Sequence, residues 1–198
     1  MLNGSNTIAA ISTAPGVGGI GVVRISGPLA LEIGQKISGS TLLPRVANFH
    51  NFKAINGTLI DQGLILFFSA PNSFTGEDII ELQCHGGTVV TQSILTFCLK
   101  NGAKLAEPGD FTKRAYLNNK IDLAQAESVA DLINASTEEA ALGAVNSLSG
   151  KFSLEINNLL KSLIELRMYV EACLDFPEED IDFISEGKVE DKLQHLSE

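Results

Sequence analysis

The sequence predicts an α+β fold: a mixed, largely antiparallel sheet with packed helices, followed by an α-helical domain. Two observations carry the first part. Short β-branched and aromatic runs alternate with helix-period runs up to about Ala106, and Gly, Pro or Asn punctuates each change. The order is irregular rather than a repeating βαβ, which argues for helices on a largely antiparallel sheet. A third observation sets the second part off: from Phe111 onward the strand signals stop. Charge changes with it. Six basic and five acidic residues lie up to Lys104, and eight basic and 19 acidic beyond it. The expected domains are residues 1–118 and 119–198.

Thr7 to Thr13 reads as a strand and Val22 to Ser26 as the next, ended by Gly27-Pro28. Between them lies Gly16-Val17-Gly18-Gly19-Ile20-Gly21. The string matches G-x-G-x-x-G, but a dinucleotide site needs a helix after it and an acidic residue about 20 positions on. A strand follows, and Ser38-Gly39-Ser40-Thr41-Leu42 stands where the acid should be. The glycines are therefore expected to connect two strands. Leu29 to Ile37 reads as a short helix behind Pro28, and Leu42 to Asn56 as loop.

Leu59 to Ser69 is apolar enough for a buried strand. Asp78 to Cys84 is another, with Ile80, Leu82 and Cys84 on one face and Ile79, Glu81 and Gln83 on the other. Thr88 to Lys100 is a helix closed by Asn101-Gly102. Ala103 to Ala106 is a short strand, and Asp110 reads as a helix cap. In the second part, Asp122 to Gln125 and Ser136 to Glu139 read as capping boxes. Leu159, Leu163, Leu166, Val170 and Leu174 mark one face of a helix over 151–173, ended by Phe176-Pro177. An acidic tail from Glu178 carries a last helix-like piece, Val189 to Leu196. The chain ends on no cap or turn signal, as if cut within a larger architecture.

Composition excludes several classes. An apolar fraction of 44% describes a globular chain. No apolar run nears the roughly 20 residues needed to span a bilayer, and the first residues lack the pattern of a signal peptide. Cys84, Cys98 and Cys173 are odd in number and far apart, which suggests free thiols in a reducing cytosol and a cytoplasmic protein. No basic stripe exists to neutralise a phosphate backbone, so tight nucleic-acid binding by this chain alone is not expected.

Few side chains stand out as chemistry. Arg24 sits mid-strand among apolar neighbours, as a rim salt bridge or as a contact for an anion. Glu81 is similarly placed. It is either a solvent-facing residue of a half-covered sheet, or a carboxylate for the paired N–H donors of a heterocycle such as a pterin. Cys84 and His85 are strand neighbours and point to opposite faces, so they cannot share a metal, and His50 and His195 lack companions at ligand spacing. A buried thiol and a turn histidine are favoured over a catalytic pair. Lys113, Arg114 and Lys120 form either a solvated face or a clamp for an anionic tail. The sequence holds no G-x-x-x-x-G-K-[ST], so no P-loop nucleotide site is expected.

These strings together resemble the N-terminal part of the MnmE (TrmE) family of tRNA modification GTPases. The resemblance runs through Pro15 to Gly21, Val23 to Gly27, Pro71 to Asp78, Glu81 to Gly87, Pro108 to Thr112, Arg114 to Lys120 and Asp122 to Glu127. It implies a folate-binding and dimerising domain similar to that of the glycine-cleavage aminomethyltransferase, then the first part of a helical domain. The inserted GTPase domain and the C-terminal cysteine motif are not in this chain. It implies a tetrahydrofolate derivative, 5,10-methylene or 5-formyl, contacted by Arg24, Glu81 and Lys120, with a further contact from a C-terminal end that this chain lacks. It implies a homodimer and a flavoprotein partner, MnmG (GidA), carrying FAD. GTP, magnesium and potassium belong to the full-length protein, and tRNA to the full complex. The implied reaction places an aminomethyl or carboxymethylaminomethyl group on carbon 5 of the wobble uridine. The alternatives are a folate-dependent aminomethyltransferase without GTPase activity and a dimerisation scaffold with no ligand.

Overall fold

A computed structural model describes residues 6–175 together with Val189, Leu193 and Gln194. The chain divides into two compact units between Ile121 and Asp122. The first unit is a six-stranded sheet with helices. Its elements are β1 (Ile8–Ile11), β2 (Gly18–Ser26), α1 (Ala30–Ser38), β3 (Asn48–Lys53), β4 (Leu59–Phe68), β5 (Ile79–Gly86), α2 (Thr88–Lys100), β6 (Lys104–Leu105) and α3 (Asp110–Leu117). The strand order is β3-β4-β5-β2-β1-β6, and every neighbouring pair is antiparallel except β1 and β6. The α+β architecture read from the sequence is the one observed.

Two-residue alternation decides where the core sits. Val23 and Ile25 of β2, Ile80 and Leu82 of β5, and Ile65 of β4 point to one face. Ile33 and Ile37 of α1 and Ile94 and Cys98 of α2 cover that face, all of them at 1% exposure or less. Burying side chains of this size contributes roughly 1.5–3 kcal/mol each. The opposite face is left to Arg24, Glu81, Gln83 and Leu66, which the register brings side by side. This second face is half-buried rather than sealed.

Several local expectations are corrected. Leu42 to Asn56 is not all loop, because it contains β3. That strand buries only Phe52 fully, so its polar alternation hid it. β4 is buried only at Ile65 and Phe67, since its first half reaches beyond the core along β3. β2 begins inside the glycine string, with an irregular register between Gly18 and Gly21. A Cβ at Gly21 would lie 2.5 Å from the Thr91 side chain and 3.2 Å from the Gly86 backbone, so α2 and β5 need a bare backbone there. The cap of α3 is Gly109, at φ 85, rather than Asp110. The Asp110 carboxylate instead accepts the Glu107 N–H at 2.8 Å.

The second unit contains α4 (Leu123–Asn134), α5 (Glu138–Leu148) and α6 (Lys151–Asp175). The Asp122–Gln125 capping box forms in both directions, at 2.8 and 2.9 Å. At α5 the cap is Thr137, whose hydroxyl accepts the Ala140 N–H, so the second expected box does not form. On α6, Leu166 is buried while Leu159 and Leu163 stay about half exposed. The end signal Phe176-Pro177, the acidic tail, His195 and most of the last helix-like piece lie outside the described residues. Val189, Leu193 and Gln194 are helical. Among the described residues no helix is long and apolar enough to cross a membrane.

Candidate functional site

Arg24 and Glu81 meet because β2 and β5 place them directly opposite each other. The Arg24 guanidinium donates to Oε1 of Glu81 through Nε at 2.9 Å, and its terminal nitrogen lies 2.7 Å from the same oxygen as an ion pair. The side chains are 31% and 19% exposed, so the pair is largely desolvated yet still reachable. The guanidinium carbon lies 5.7 Å from the centroid of the Phe111 ring, a cation–π contact from α3. Oε2 of Glu81 takes no hydrogen bond from any described residue.

Lys120 stands apart from this pair. Its ammonium donates to the Pro71 carbonyl at 3.0 Å, and its stem crosses Gly76, where a Cβ would lie 3.3 Å from it. What links the two places is the loop 70–78. Ser26, two residues along β2 from Arg24, is fully buried and bonds Thr75 Oγ1 at 2.7 Å and Glu77 Oε2 at 2.8 Å. Arg114 donates to the same Glu77 oxygen at 2.8 Å and to the Asn6 carbonyl at 2.6 Å. Asn118 holds the Thr75 carbonyl at 2.6 Å. Arg114 is thus engaged in pinning the loop, while Lys113 and Lys120 are both exposed.

The pinning residues Ser26, Thr75 and Glu77 were not singled out in the sequence. Thr75 and Glu77 lie in Phe74 to Asp78, which reads as an ordinary turn into a strand with an acidic tip, and Ser26 reads only as a strand end. Asp61 and His85 were likewise missed as a pair. Oδ1 of Asp61 bonds the His85 ring Nδ1 at 2.8 Å, and Oδ2 accepts the His85 backbone N–H at 2.8 Å. Burial alone would raise the Asp61 pKa, but these bonds and one from Gln62 outweigh it and hold the carboxyl below its ordinary 3.8.

Both described cysteines are inert by environment. Burial pushes the Cys84 thiol up to about 11, helped by the Asp61 charge, and pushes Cys98 up to about 12. Among the described residues no cluster of three or more His, Cys, Asp or Glu side chains is placed to hold a metal.

This geometry defines a class: a half-open sheet face carrying one arginine–carboxylate pair, in a unit followed by helices. The comparisons with known proteins narrow it. Residues 7–120 match the family described as GTP-binding protein TrmE N-terminus, and residues 123–198 match the MnmE helical domain. The chain belongs to the MnmE (TrmE) family of tRNA modification GTPases. It is 56% identical over 192 residues to the protein of that name from Saccharophagus degradans, covering 97% of this chain and 42% of that protein. It is 54% identical over 194 residues to the one from Hydrogenovibrio crunogenus, covering 98% and 43%. Against the one from Neisseria meningitidis serogroup C it is 59% identical over 190 residues, covering 96% and 42%. The chain spans little more than two fifths of the length of these relatives.

Proposed function

We propose that this chain is the folate-binding and dimerising part of a GTPase that, with the flavin-dependent partner MnmG, modifies carbon 5 of the wobble uridine of tRNA. The observation that carries the reading is the Arg24–Glu81 pair, desolvated on a sheet face whose Glu81 keeps one oxygen uncommitted.

The residues fit a tetrahydrofolate. A pterin edge offers two parallel N–H donors, and a carboxylate accepts such a pair with both oxygens. Oε2 of Glu81 is available as it stands. Oε1 already accepts from Arg24 Nε and lies against its terminal nitrogen, so a two-point grip requires the guanidinium to turn from the carboxylate toward Phe111 or the ligand. Arg24 then keeps its positive charge beside the carboxylate and the ligand. Lys120 has two ammonium hydrogens left for an anionic end of the ligand. The bound folate would supply the one-carbon unit, and these residues would bind and orient it.

Dimerisation is supported by the same face. Phe49 is 66% exposed and Leu64 is 37% exposed, and they pair on the side that carries Glu81. A second copy laid there would cover apolar surface and close the half-open site. Hydrolysis of GTP with magnesium and potassium belongs to the parts of the full-length protein beyond this chain. With a net charge of −10, the chain leaves most of the tRNA contact to the complex with MnmG and its FAD.

Calorimetric titration with 5-formyltetrahydrofolate tests this, with the dimer checked by light scattering and Glu81→Ala alongside. Saturable binding that the substitution removes is expected. Equal heats from both proteins would refute the assignment of Glu81.

A further inference from the structure

α2 carries two stripes of side chains. Ile94, Leu95 and Cys98 are buried in the core. Beside them, Val89, Gln92, Thr96 and Lys100 recur at helical spacing and form a second stripe. That second stripe lines a groove of about 910 Å³. Across it stand Ala54, Ile55 and Ile60 from the connection between β3 and β4 and the start of β4. The turn that presents Ile55 is held in shape. The Ala54 N–H donates to the Thr58 carbonyl and the Gly57 N–H to the Ala54 carbonyl, both at 2.8 Å, and the Thr58 N–H donates to Oδ1 of Asn56 at 3.1 Å. Turns of this kind favour polar residues, yet Ile55 is 67% exposed, and Val89 across from it is 77% exposed.

Size and charge decide the occupant. The volume falls within the roughly 300–1,000 Å³ of small-molecule sites. Eleven residues line the groove, against the roughly 20–30 a side that a stable protein partner uses. Lys100 is the one charged side chain among them, and no acid lines the groove. The carboxylate nearest the turn in sequence, Asp61, is not part of the lining and has both oxygens bonded to His85. The helix dipole alone would favour a lysine in the last turn of α2. What sets Lys100 apart is its company. Gln92 and Thr96 lead up to it in a row of about 12 Å, and the side chains of all three make no hydrogen bond or ion pair with any described residue. The groove thus opposes an apolar wall to a row of uncommitted donors that ends in a cation.

We propose that this groove binds an elongated organic monoanion, with its carboxylate at Lys100 and its apolar body against Ile55, Ile60 and Val89. Gln92 and Thr96 serve polar atoms along the body. Binding is non-covalent and changes no bond. The site shares no residue with the Arg24–Glu81 face and does not rest on the folate reading.

The test is an NMR titration of the full chain with sodium octanoate, octan-1-ol and octylammonium chloride, which share one apolar body and differ in charge. The account expects saturable shifts at Ile55, Val89 and Thr96 with octanoate, and binding about tenfold or more weaker for the other two. Lys100 and Ile55 are both exposed, so substitution there should leave the fold intact, as the amide spectrum would show. Lys100→Glu should reverse the order of octanoate and octylammonium, and Ile55→Asp should abolish the octanoate shifts. Lys104→Glu, at an exposed lysine outside the groove, should change neither. Equal affinity for the three compounds, no saturable response at the groove, or octanoate binding that survives Lys100→Glu unchanged would each overturn the proposal.

Discussion

Glu77→Ala is expected to be the most damaging single change to the candidate site that leaves its ligand contacts in place. The carboxylate accepts from Arg114 and from the fully buried Ser26, and both it and Arg114 are 15% exposed. A charged hydrogen bond is worth about 1.5–3 kcal/mol and a neutral one about 1. Arg114 keeps Asn6, and Ser26 keeps Thr75, which limits the cost of stranding them. The expected loss is about 2–4 kcal/mol, or about 6–12 °C in Tm for a chain of this size. Glu32→Ala is the control. Its i,i+4 pair with Lys36 has both side chains about half exposed, so the cost should stay near 0.5 kcal/mol or below. Thermal and urea unfolding read both, and a cycle with Arg114→Ala should return a coupling of about 1–2 kcal/mol. If Glu77→Ala costs no more than Glu32→Ala, or the cycle is additive, the loop is not held as argued.

Three further outcomes follow from the same geometry. The Asp61 carboxyl is held below its ordinary value in the folded state, so its contribution is present above about pH 4 and lost as pH falls through the folded pKa; Asp61→Asn should flatten the acid limb of stability against pH, measured by urea unfolding. Cys84 and Cys98, with thiols near 11 and 12, should resist alkylation by iodoacetamide at pH 8 until the chain unfolds, as peptide mass spectrometry would show. Gly63→Ala would set a Cβ 1.9 Å from the Gln83 carbonyl oxygen and should break the β4–β5 pairing, which hydrogen exchange at Leu64 and Leu66 would report.

How much of this was legible depends on which interactions are local. Strand faces such as Ile80, Leu82 and Cys84, the helix over 88–100 and the Asp122 cap rest on period and short-range bonds, and they form as read. β3 escaped because an edge strand with one buried side chain has almost no hydrophobic period. Arg24 and Glu81 could be flagged one by one as charges on apolar strands. Their meeting required the β2–β5 register, 57 residues apart. The Ser26–Glu77–Arg114 pin and the Asp61–His85 pair are likewise products of topology. Local sequence shows neither, since each partner alone is an ordinary polar residue.

The central claim is that the ligand site is the sheet face at Arg24 and Glu81. The most direct measurement maps chemical shifts while 5-formyltetrahydrofolate is added to the chain. The account predicts changes at Arg24 Nε–H, Glu81, Gln83, Phe111 and Lys120. The structure offers a competitor, a groove of about 910 Å³ between α2 and the β3–β4 turn, lined by Ile55, Val89, Thr96 and Lys100. Shifts gathered at that groove, with Arg24 and Glu81 unmoved, would contradict the account.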